Sequence, residues 1–280
     1  MIVDVTAGPD GNLWVIDALL NRVGRISTSG AKIDFFPIPT KDARPNRIIA
    51  GPDGNIWFTE TIGKIGRATL AGAIEEYATP PGAYPWGIAT GVDGKLWFTE
   101  VSARRVAVMV VDGSIEKEHA IPDGDAGPWE ITAGPDGNLW FTDDLDRIWR
   151  VTPSGTFSAF APRTSSSGLI GITAGADGNL WFAESTANQI GRITASGQLL
   201  EEIAIPSPNA RLRAITRGAD GNVWFLEAAR GAPSLGRVTP SGTISEFPIP
   251  AVPTSICSGP DGNVWFPESD AGRIARFVPP

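Results

Sequence analysis

Short apolar runs alternate with polar turns along the whole chain, and no stretch shows the 3.6-residue period of an amphipathic helix. The stretch 45–80 illustrates the pattern. Its runs are rich in β-branched and aromatic residues, and they occupy positions 47–50, 56–60, 64–69 and 73–77. Tight turns containing glycine separate the first two runs and the last two. Such a pattern predicts four antiparallel β-strands, which we name A to D in chain order.

The four-strand pattern recurs seven times. The phrase Gly-x-Asp-Gly-Asn-x-Trp-Phe marks each A–B turn at intervals of 40 to 43 residues, with Val15 in place of Phe in the first copy and Lys95 in place of Asn in the third. A repeat of four short strands at this interval is typical of one blade of a β-propeller. We therefore predict an all-β fold, a single seven-bladed β-propeller domain over 1–280. The expected blades are approximately 1–40, 41–80, 81–122, 123–163, 164–207, 208–251 and 252–280.

The seventh copy stops early. Six copies have a C–D turn, but after the run 273–278 the chain ends in Pro279 and Pro280. The run 2–6 is already expected to be strand A of the first blade, so we predict a last blade of three strands. Arg273 and Arg276, with the prolines, would discourage pairing at its edge. The alternative is that residues upstream of the printed sequence supply a fourth strand.

The composition of the chain limits the classes of partner that it could bind. A formal net charge of −8 and a pI of about 4.8 exclude a basic nucleic-acid surface, and no apolar run is long enough to span a bilayer. The lone Cys257 cannot form an internal disulfide and is expected in the core, while His119 stands alone among charged residues and suggests neither a metal cluster nor a triad. We expect a monomer, cytoplasmic or, if a leader has been removed, secreted.

Seven tryptophans recur with the repeat, and we expect them to pack between blades rather than bind a ligand. They are Trp14, Trp57, Trp97, Trp140, Trp181, Trp224 and Trp265. Trp149 replaces a repeat glycine in strand C, and packing is its expected role too.

Strand B ends in a carboxylate in every blade: Asp17, Glu60, Glu100, Asp143, Glu184, Glu227 and Glu268. One interpretation is structural, in which the carboxylates accept N–H bonds from the B–C loops or pair with the strand-C arginines. Those arginines are Arg25, Arg67, Arg150, Arg192, Arg237 and Arg276. The other interpretation is a ring of carboxylates that binds a cation or a polar ligand.

A variable column should face the carboxylates across the A–B hairpin, fourteen residues earlier in each blade. It comprises Val3, Asn46, Trp86, Trp129, Ile170, Arg213 and Thr254. If strand A is innermost, both columns gather at one rim of the central channel, as expected for a site built on a symmetric scaffold. Trp86 and Trp129 could form an aromatic wall, with Arg213 on the opposite side. The alternative is that large residues only plug the channel mouth. The candidate ligand-binding residues are Asn46, Trp86, Trp129, Arg213 and Thr254, with Glu60, Glu100, Asp143 and Glu184.

Three runs carry a family resemblance. Residues 131–142, 189–194 and 244–250 closely resemble the streptogramin B (virginiamycin B) lyase family, and the resemblance covers the whole chain. It implies a seven-bladed propeller that opens a cyclic depsipeptide by elimination at its ester, with Mg²⁺ as the expected cofactor. Elimination needs a base for the α-proton and an acid for the leaving group.

The acid and the base that the resemblance implies are not present at the matching positions of this sequence. Family members place histidines at the start of strand A in late blades, with a glutamate nearby. The matching positions are Arg213, Thr254 and Val252, whereas the strand-B carboxylate Glu268 is retained. Streptogramin lyase activity by the family mechanism is therefore not expected.

Three functional hypotheses remain open. The favoured one is a propeller that binds a small molecule or peptide at the rim, the ligand being polar or cationic with an aromatic or planar part. The second is a metal-assisted lyase with an altered site, in which Glu227 or Glu268 is the base. The third is a protein-interaction propeller whose contacts are the loops 163–168 and 228–234.

Overall fold

The computed structural model describes residues 1–30, 32–268 and 272–280. Within these ranges the chain forms strands β1 to β27 in seven antiparallel sheets and no helix, and hence no helix suited to crossing a membrane. Six sheets have four strands in sequence order and the last has three. The predicted seven-bladed propeller, with its shorter seventh blade, is confirmed.

The strands follow the predicted order in every blade. Blades one and two contain β1 Ile2–Ala7, β2 Leu13–Asp17, β3 Arg22–Ile26, β4 Ile33–Pro37, β5 Pro45–Ala50, β6 Ile56–Glu60, β7 Lys64–Ala68 and β8 Ile74–Ala78. Blades three and four contain β9 Pro85–Thr90, β10 Leu96–Glu100, β11 Arg105–Met109, β12 Ile115–Ala120, β13 Pro128–Ala133, β14 Leu139–Asp143, β15 Ile148–Val151 and β16 Phe157–Phe160. Blades five to seven contain β17 Leu169–Ala174, β18 Asn179–Glu184, β19 Gln189–Thr194, β20 Leu199–Ala204, β21 Leu212–Arg217, β22 Val223–Glu227, β23 Ser234–Val238, β24 Ile244–Pro248, β25 Cys257–Ser258, β26 Val264–Glu268 and β27 Arg273–Phe277.

The repeated phrase builds a turn that holds its own tryptophan. In blade two, Asp53 accepts hydrogen bonds from Trp57 Nε1 at 2.9 Å and from Asn55 Nδ2 at 2.7 Å. Gly54 takes the left-handed φ of 76° that the turn requires. The indole lies so close to Gly51 that a Cβ there would be 2.2 Å from Trp57 Cδ1. In all seven blades the indole of the repeat tryptophan donates the same hydrogen bond to the turn aspartate.

Each repeat tryptophan packs against the next blade, as predicted. Trp57, for example, clusters with Ile88 and Phe98 of blade three. The ring closes in the same way, since Trp265 of blade seven packs on Val15 of blade one. Arg276 also donates to the carbonyl of Thr28 at 3.4 Å across this junction. Side-chain packing therefore closes the propeller between blades seven and one.

The strand-B carboxylates are buried within the blades. In blades two, three, five and six, each faces a glutamate on strand D, in the pairs Glu60–Glu76, Glu100–Glu118, Glu184–Glu202 and Glu227–Glu246. Burial and the facing glutamate raise the pKa of Glu60 and Glu100 to about 8, and of Glu184 and Glu227 to about 7. Neither oxygen of Glu60 meets a hydrogen-bond donor among the described side chains, which fits a neutral acid beside a carboxylate.

Other blades neutralise the carboxylate with a cation. Asp17 pairs with Arg22 at 2.9 Å, Asp143 pairs with Arg147 at 2.9 Å, and Glu268 pairs with Arg273. Asp143 also accepts the backbone N–H groups of the B–C loop, as the structural interpretation expects.

The predicted pairing of the strand-B carboxylates with the strand-C arginines was wrong. Arg67, for example, lies 5.7 Å from the Trp57 ring centroid, pairs with Glu75 and donates to the carbonyl of Val111 in the next blade. It thus braces the tryptophan and the neighbouring blade rather than Glu60.

We predict that Gly51→Ala lowers the free energy of unfolding by roughly 2 to 3 kcal/mol, because the added Cβ collides with the Trp57 ring. Urea unfolding measures this. The control is Gly124→Ala, where a Cβ meets no atom within 4 Å. Equal midpoints for the two variants would contradict the proposed role of this contact.

We predict that the protein loses stability as the pH rises from 6 to 9. The folded pKa of Glu60, about 8, exceeds its usual value of 4.5, so its contribution is complete below pH 4.5 and is lost as the pH passes through 8. Glu60→Gln keeps the side chain neutral and should flatten the dependence of the thermal midpoint on pH.

The matched control is Glu75→Gln, since Glu75 is exposed to solvent. The hydrogen bond from Tyr77 and the ion pair with Arg67 hold the pKa of Glu75 below its usual value. Its pH profile between 6 and 9 should equal that of the wild type. A midpoint that does not change over this range, or a slope unaltered by Glu60→Gln, would contradict the raised pKa of Glu60.

Candidate functional site

The innermost strands of the propeller are the A strands, which contact one another around the central channel. Each carries one extra residue near its start. In blade two, Ile48 faces Phe58 but Glu60 faces Pro45, so a β-bulge lies between Pro45 and Ile48. The residue opposite the carboxylate is therefore fifteen positions earlier, and the predicted spacing of fourteen was wrong. Asn46 lies within this bulge, and the other members of the variable column occupy the same position in their blades.

The bulge directs the variable column toward a cavity at the rim. Six of its seven members line this cavity of about 910 Å³: Val3, Trp86, Trp129, Ile170, Arg213 and Thr254. The indoles of Trp86 and Trp129 meet edge to face, with ring centroids 4.7 Å apart and an interplanar angle of 87°. Both are only partly buried, unlike the repeat tryptophans. The structure thus joins the predicted aromatic wall and the predicted arginine in one concave surface.

Two buried threonines hold the aromatic wall in place. The hydroxyl of Thr59 donates to the carbonyl of Trp86 at 2.8 Å and accepts from the N–H of Arg47 at 3.1 Å. Thr99 does the same one blade further on, donating to the carbonyl of Trp129 at 2.7 Å. Each threonine satisfies backbone groups that the bulge removes from the strand ladder, and fixes one tryptophan to the preceding blade.

An ion pair forms part of the cavity floor. Arg47 Nε donates to Glu130 Oε1 at 2.8 Å, and Trp86 Nε1 donates to the same oxygen at 3.2 Å. The pair spans blade three, where the corresponding residue is Gly87, and a Cβ there would lie 2.5 Å from the carbonyl oxygen of Trp129. Burial alone would lower the pKa of Arg47, but the charges of Glu130 and Asp4 outweigh it and raise that pKa. Burial raises the pKa of Asp4 itself.

Blade six supplies the remaining charge of the cavity. Arg211 and Arg213 both line it and both are exposed. Within the part of the chain that the structure describes, neither side chain has a hydrogen bond, an ion pair or a ring contact. Since Arg47 and Glu130 neutralise each other, these two arginines make the cavity cationic in a chain of formal charge −8.

The other predicted site residues lie elsewhere. The carboxylates Glu60, Glu100, Asp143, Glu184, Glu227 and Glu268 are buried and do not line the cavity. Asn46 also lies outside its lining, and its Nδ2 is buried without a hydrogen-bond partner among the described residues. These positions leave the cavity with a single carboxylate, that of Glu130, among the described residues.

The outlying residues behave as packing residues. Cys257 is buried in β25 as expected, and Trp149 stacks on Phe141 with ring centroids 6.1 Å apart. The charged neighbours Glu116 and Lys117 are exposed as expected, but His119 itself is only 7% exposed and stacks on Trp97 with parallel rings 5.7 Å apart. Burial lowers its pKa.

Sequence reasoning missed Arg47, Glu130 and Arg211. A signal for the first two was available, because the column one residue after the variable column is equally irregular. It contains Asp4, Arg47, Gly87, Glu130, Gly171, Ala214 and Ser255.

The residues present do not fit the magnesium ion that the resemblance implies. Among the described residues, no three His, Cys, Asp or Glu side chains converge on one point. Glu130 Oε1 is taken by Arg47, and Glu268 is bound to Arg273. Mg²⁺ requires oxygen ligands in near-octahedral geometry, and the free cations of this cavity would oppose it.

Comparisons with known proteins agree on the family. The model of the virginiamycin B lyase family matches residues 2–276. A streptogramin B lyase structure is 37% identical, with a TM-score of 0.91 over 98% of this chain and 92% of that one. The virginiamycin B lyase from Staphylococcus aureus is 39% identical, with the same TM-score, over 98% and 94%. A catalytically inactive histidine-to-alanine variant of that lyase, solved with quinupristin, matches equally well.

More distant propellers share the fold alone, such as the WD40 propeller domain of Doa1, which is 13% identical with a TM-score of 0.81 over 100% of this chain and 93% of that one. The search of curated proteins yields no match. The family match spans all seven blades and the rim cavity, and the structural matches extend over the same length at 37 to 39% identity. This chain therefore belongs to the virginiamycin B lyase family.

Proposed function

We propose that this protein binds a small molecule or peptide with a planar aromatic group in its rim cavity, and that it does so without the histidine acid–base chemistry of its family. The observation that carries the proposal is the edge-to-face pair of Trp86 and Trp129 in a cavity of about 910 Å³. A volume of this size suits a drug-sized ligand or a short peptide.

The aromatic pair is not part of the scaffold. The seven repeat tryptophans are buried and bonded to their turn aspartates, whereas Trp86 and Trp129 keep part of each ring exposed. The bond from Trp86 Nε1 to Glu130 and the threonine anchors fix both rings before any ligand arrives. A rigid aromatic wall reduces the entropy cost of binding and contributes a large contact area.

The residues around the wall do not support acid–base catalysis. Arg213 and Thr254 occupy the positions where the family resemblance implies histidines. A guanidinium cannot act as a base near neutral pH, and a threonine hydroxyl needs a neighbouring base before it can accept a proton. Glu130 is the one carboxylate among the described residues of the lining, and its Oε1 already accepts from Arg47 and Trp86.

We predict that replacing the aromatic wall weakens binding. The experiment is isothermal titration calorimetry with a panel of aromatic peptides and depsipeptides that includes quinupristin. Any member that binds should bind roughly tenfold or more weakly to the Trp86→Ala/Trp129→Ala variant. The control is Val92→Ala, an exposed apolar residue at the opposite end of its blade, which should bind like the wild type. Unchanged affinity in the double variant would refute the proposal.

We predict no ring opening by this protein. Incubation with quinupristin and Mg²⁺, followed by mass spectrometry, should show only the cyclic compound. The matched control is the Staphylococcus aureus lyase, 39% identical over nearly the whole chain, which should yield the linear product under the same conditions. A magnesium-dependent linear product from this protein would contradict the account of its site.

A further inference from the structure

Two unpaired arginines, Arg211 and Arg213, occupy one side of the rim cavity. Arg211 directly precedes β21 and Arg213 is its second residue, and both contribute to the lining. Several other arginines of the chain are bound to carboxylates, such as Arg192, which pairs with Asp177 at 3.1 Å. Arg211 and Arg213 have no such partner among the described residues. Their guanidinium donors are available to a molecule that enters the cavity.

The fold does not require arginine at position 211. Its φ is 54°, a left-handed conformation that blades two, three and five share at this position, where Arg44 has 52°, Tyr84 has 51° and Gly168 has 69°. Glycine adopts this conformation without strain, and blade five uses it there. Arg211 therefore adds a cation to the cavity that the backbone alone would not select.

The column position of Arg213 is equally permissive. The other blades place valine, isoleucine, threonine, asparagine or tryptophan there. In blade seven the residue is Thr254, which lines the same cavity. The cation at this position is a feature of blade six alone.

We propose that the ligand of the rim cavity is an aromatic oxyanion, with its anionic group bound by Arg211 and Arg213 and its ring packed on Trp86 and Trp129. This inference rests on the proposed function and names the chemical class of its ligand. The planar guanidinium fork donates two parallel hydrogen bonds to a carboxylate or a phosphate, so the two share this chemistry. The only carboxylate among the described lining residues, that of Glu130, is paired with Arg47, so no carboxylate of the site competes with the ligand for Arg211 and Arg213.

The test uses three probes with one ring system: 2-naphthoate, 2-naphthyl phosphate and the uncharged 2-naphthamide. Isothermal titration calorimetry in low-salt buffer should show the wild type binding at least one of the two anions roughly tenfold more tightly than the amide. The preference should shrink as salt is added, since exposed charges are screened. The carboxylate and phosphate arms identify which oxyanion the arginines favour.

The deciding variant is Arg211→Gly/Arg213→Thr, which introduces the residues that blades five and seven already use at these positions. It should lose the preference for the anions while its affinity for 2-naphthamide stays within about twofold of the wild type. The matched control is Arg217→Ala, which removes an exposed arginine from the far end of β21, outside the cavity lining, and should leave both affinities unchanged.

The outcomes separate this inference from the proposed function. Equal binding of the amide and the anions, unaffected by the arginine variant, would overturn the oxyanion inference but leave aromatic binding intact. No binding of any probe, with no effect of the Trp86→Ala/Trp129→Ala change on any ligand, would overturn both. Thermal unfolding checks the fold of the arginine variant, whose midpoint should stay within about 2 °C of the wild type.

Discussion

The hydrogen bond that the repeat tryptophan donates to the turn aspartate is the interaction on which the structure depends. In each blade this bond fixes the indole ring over the A–B turn. The ring lies so close to the first glycine of the turn that a Cβ there would not fit. The ring then presents its other side to the next blade, as Trp57 does to Phe98. Strand-C arginines such as Arg67 brace the same ring and reach into the neighbouring blade. One local turn thereby sets both the shape of a blade and the packing between blades.

Because the scaffold is fixed at the A–B turns, the opposite end of each A strand is free to vary. A β-bulge near that end directs two consecutive side chains into the cavity, as with Trp129 and Glu130 in blade four. The scaffold accommodates tryptophan, arginine, threonine or valine at such positions. This division of labour explains how one blade design can carry a cavity with an aromatic wall on one side and cations on another.

The sequence was sufficient to predict the architecture. The repeat gave the number of blades, the order of their strands and the shorter last blade, because each follows from turn chemistry and strand length. It also identified the variable column, of which Trp86, Trp129 and Arg213 line one cavity. It could not give the register at the start of strand A, since a bulge adds one residue without a mark in the sequence.

The environment of the carboxylates was also beyond the sequence. Glu60 and Glu100 looked like candidates for a rim, yet each faces another glutamate inside its blade. His119 lies between charged neighbours in sequence but stacks on Trp97. Both outcomes depend on which face of a strand turns inward and on what the next strand brings to it. The pairing of Arg47 with Glu130, two blades apart, is a contact that only the closed ring creates.

A crystal structure of the protein grown with 2-naphthoate or 2-naphthyl phosphate tests the central claim most directly, since the claim concerns where a ligand lies. The account predicts the ring against Trp86 and Trp129, with its anionic group at Arg211 and Arg213. A ligand bound between blades or on the outer loops, with the rim cavity holding only solvent, would contradict it.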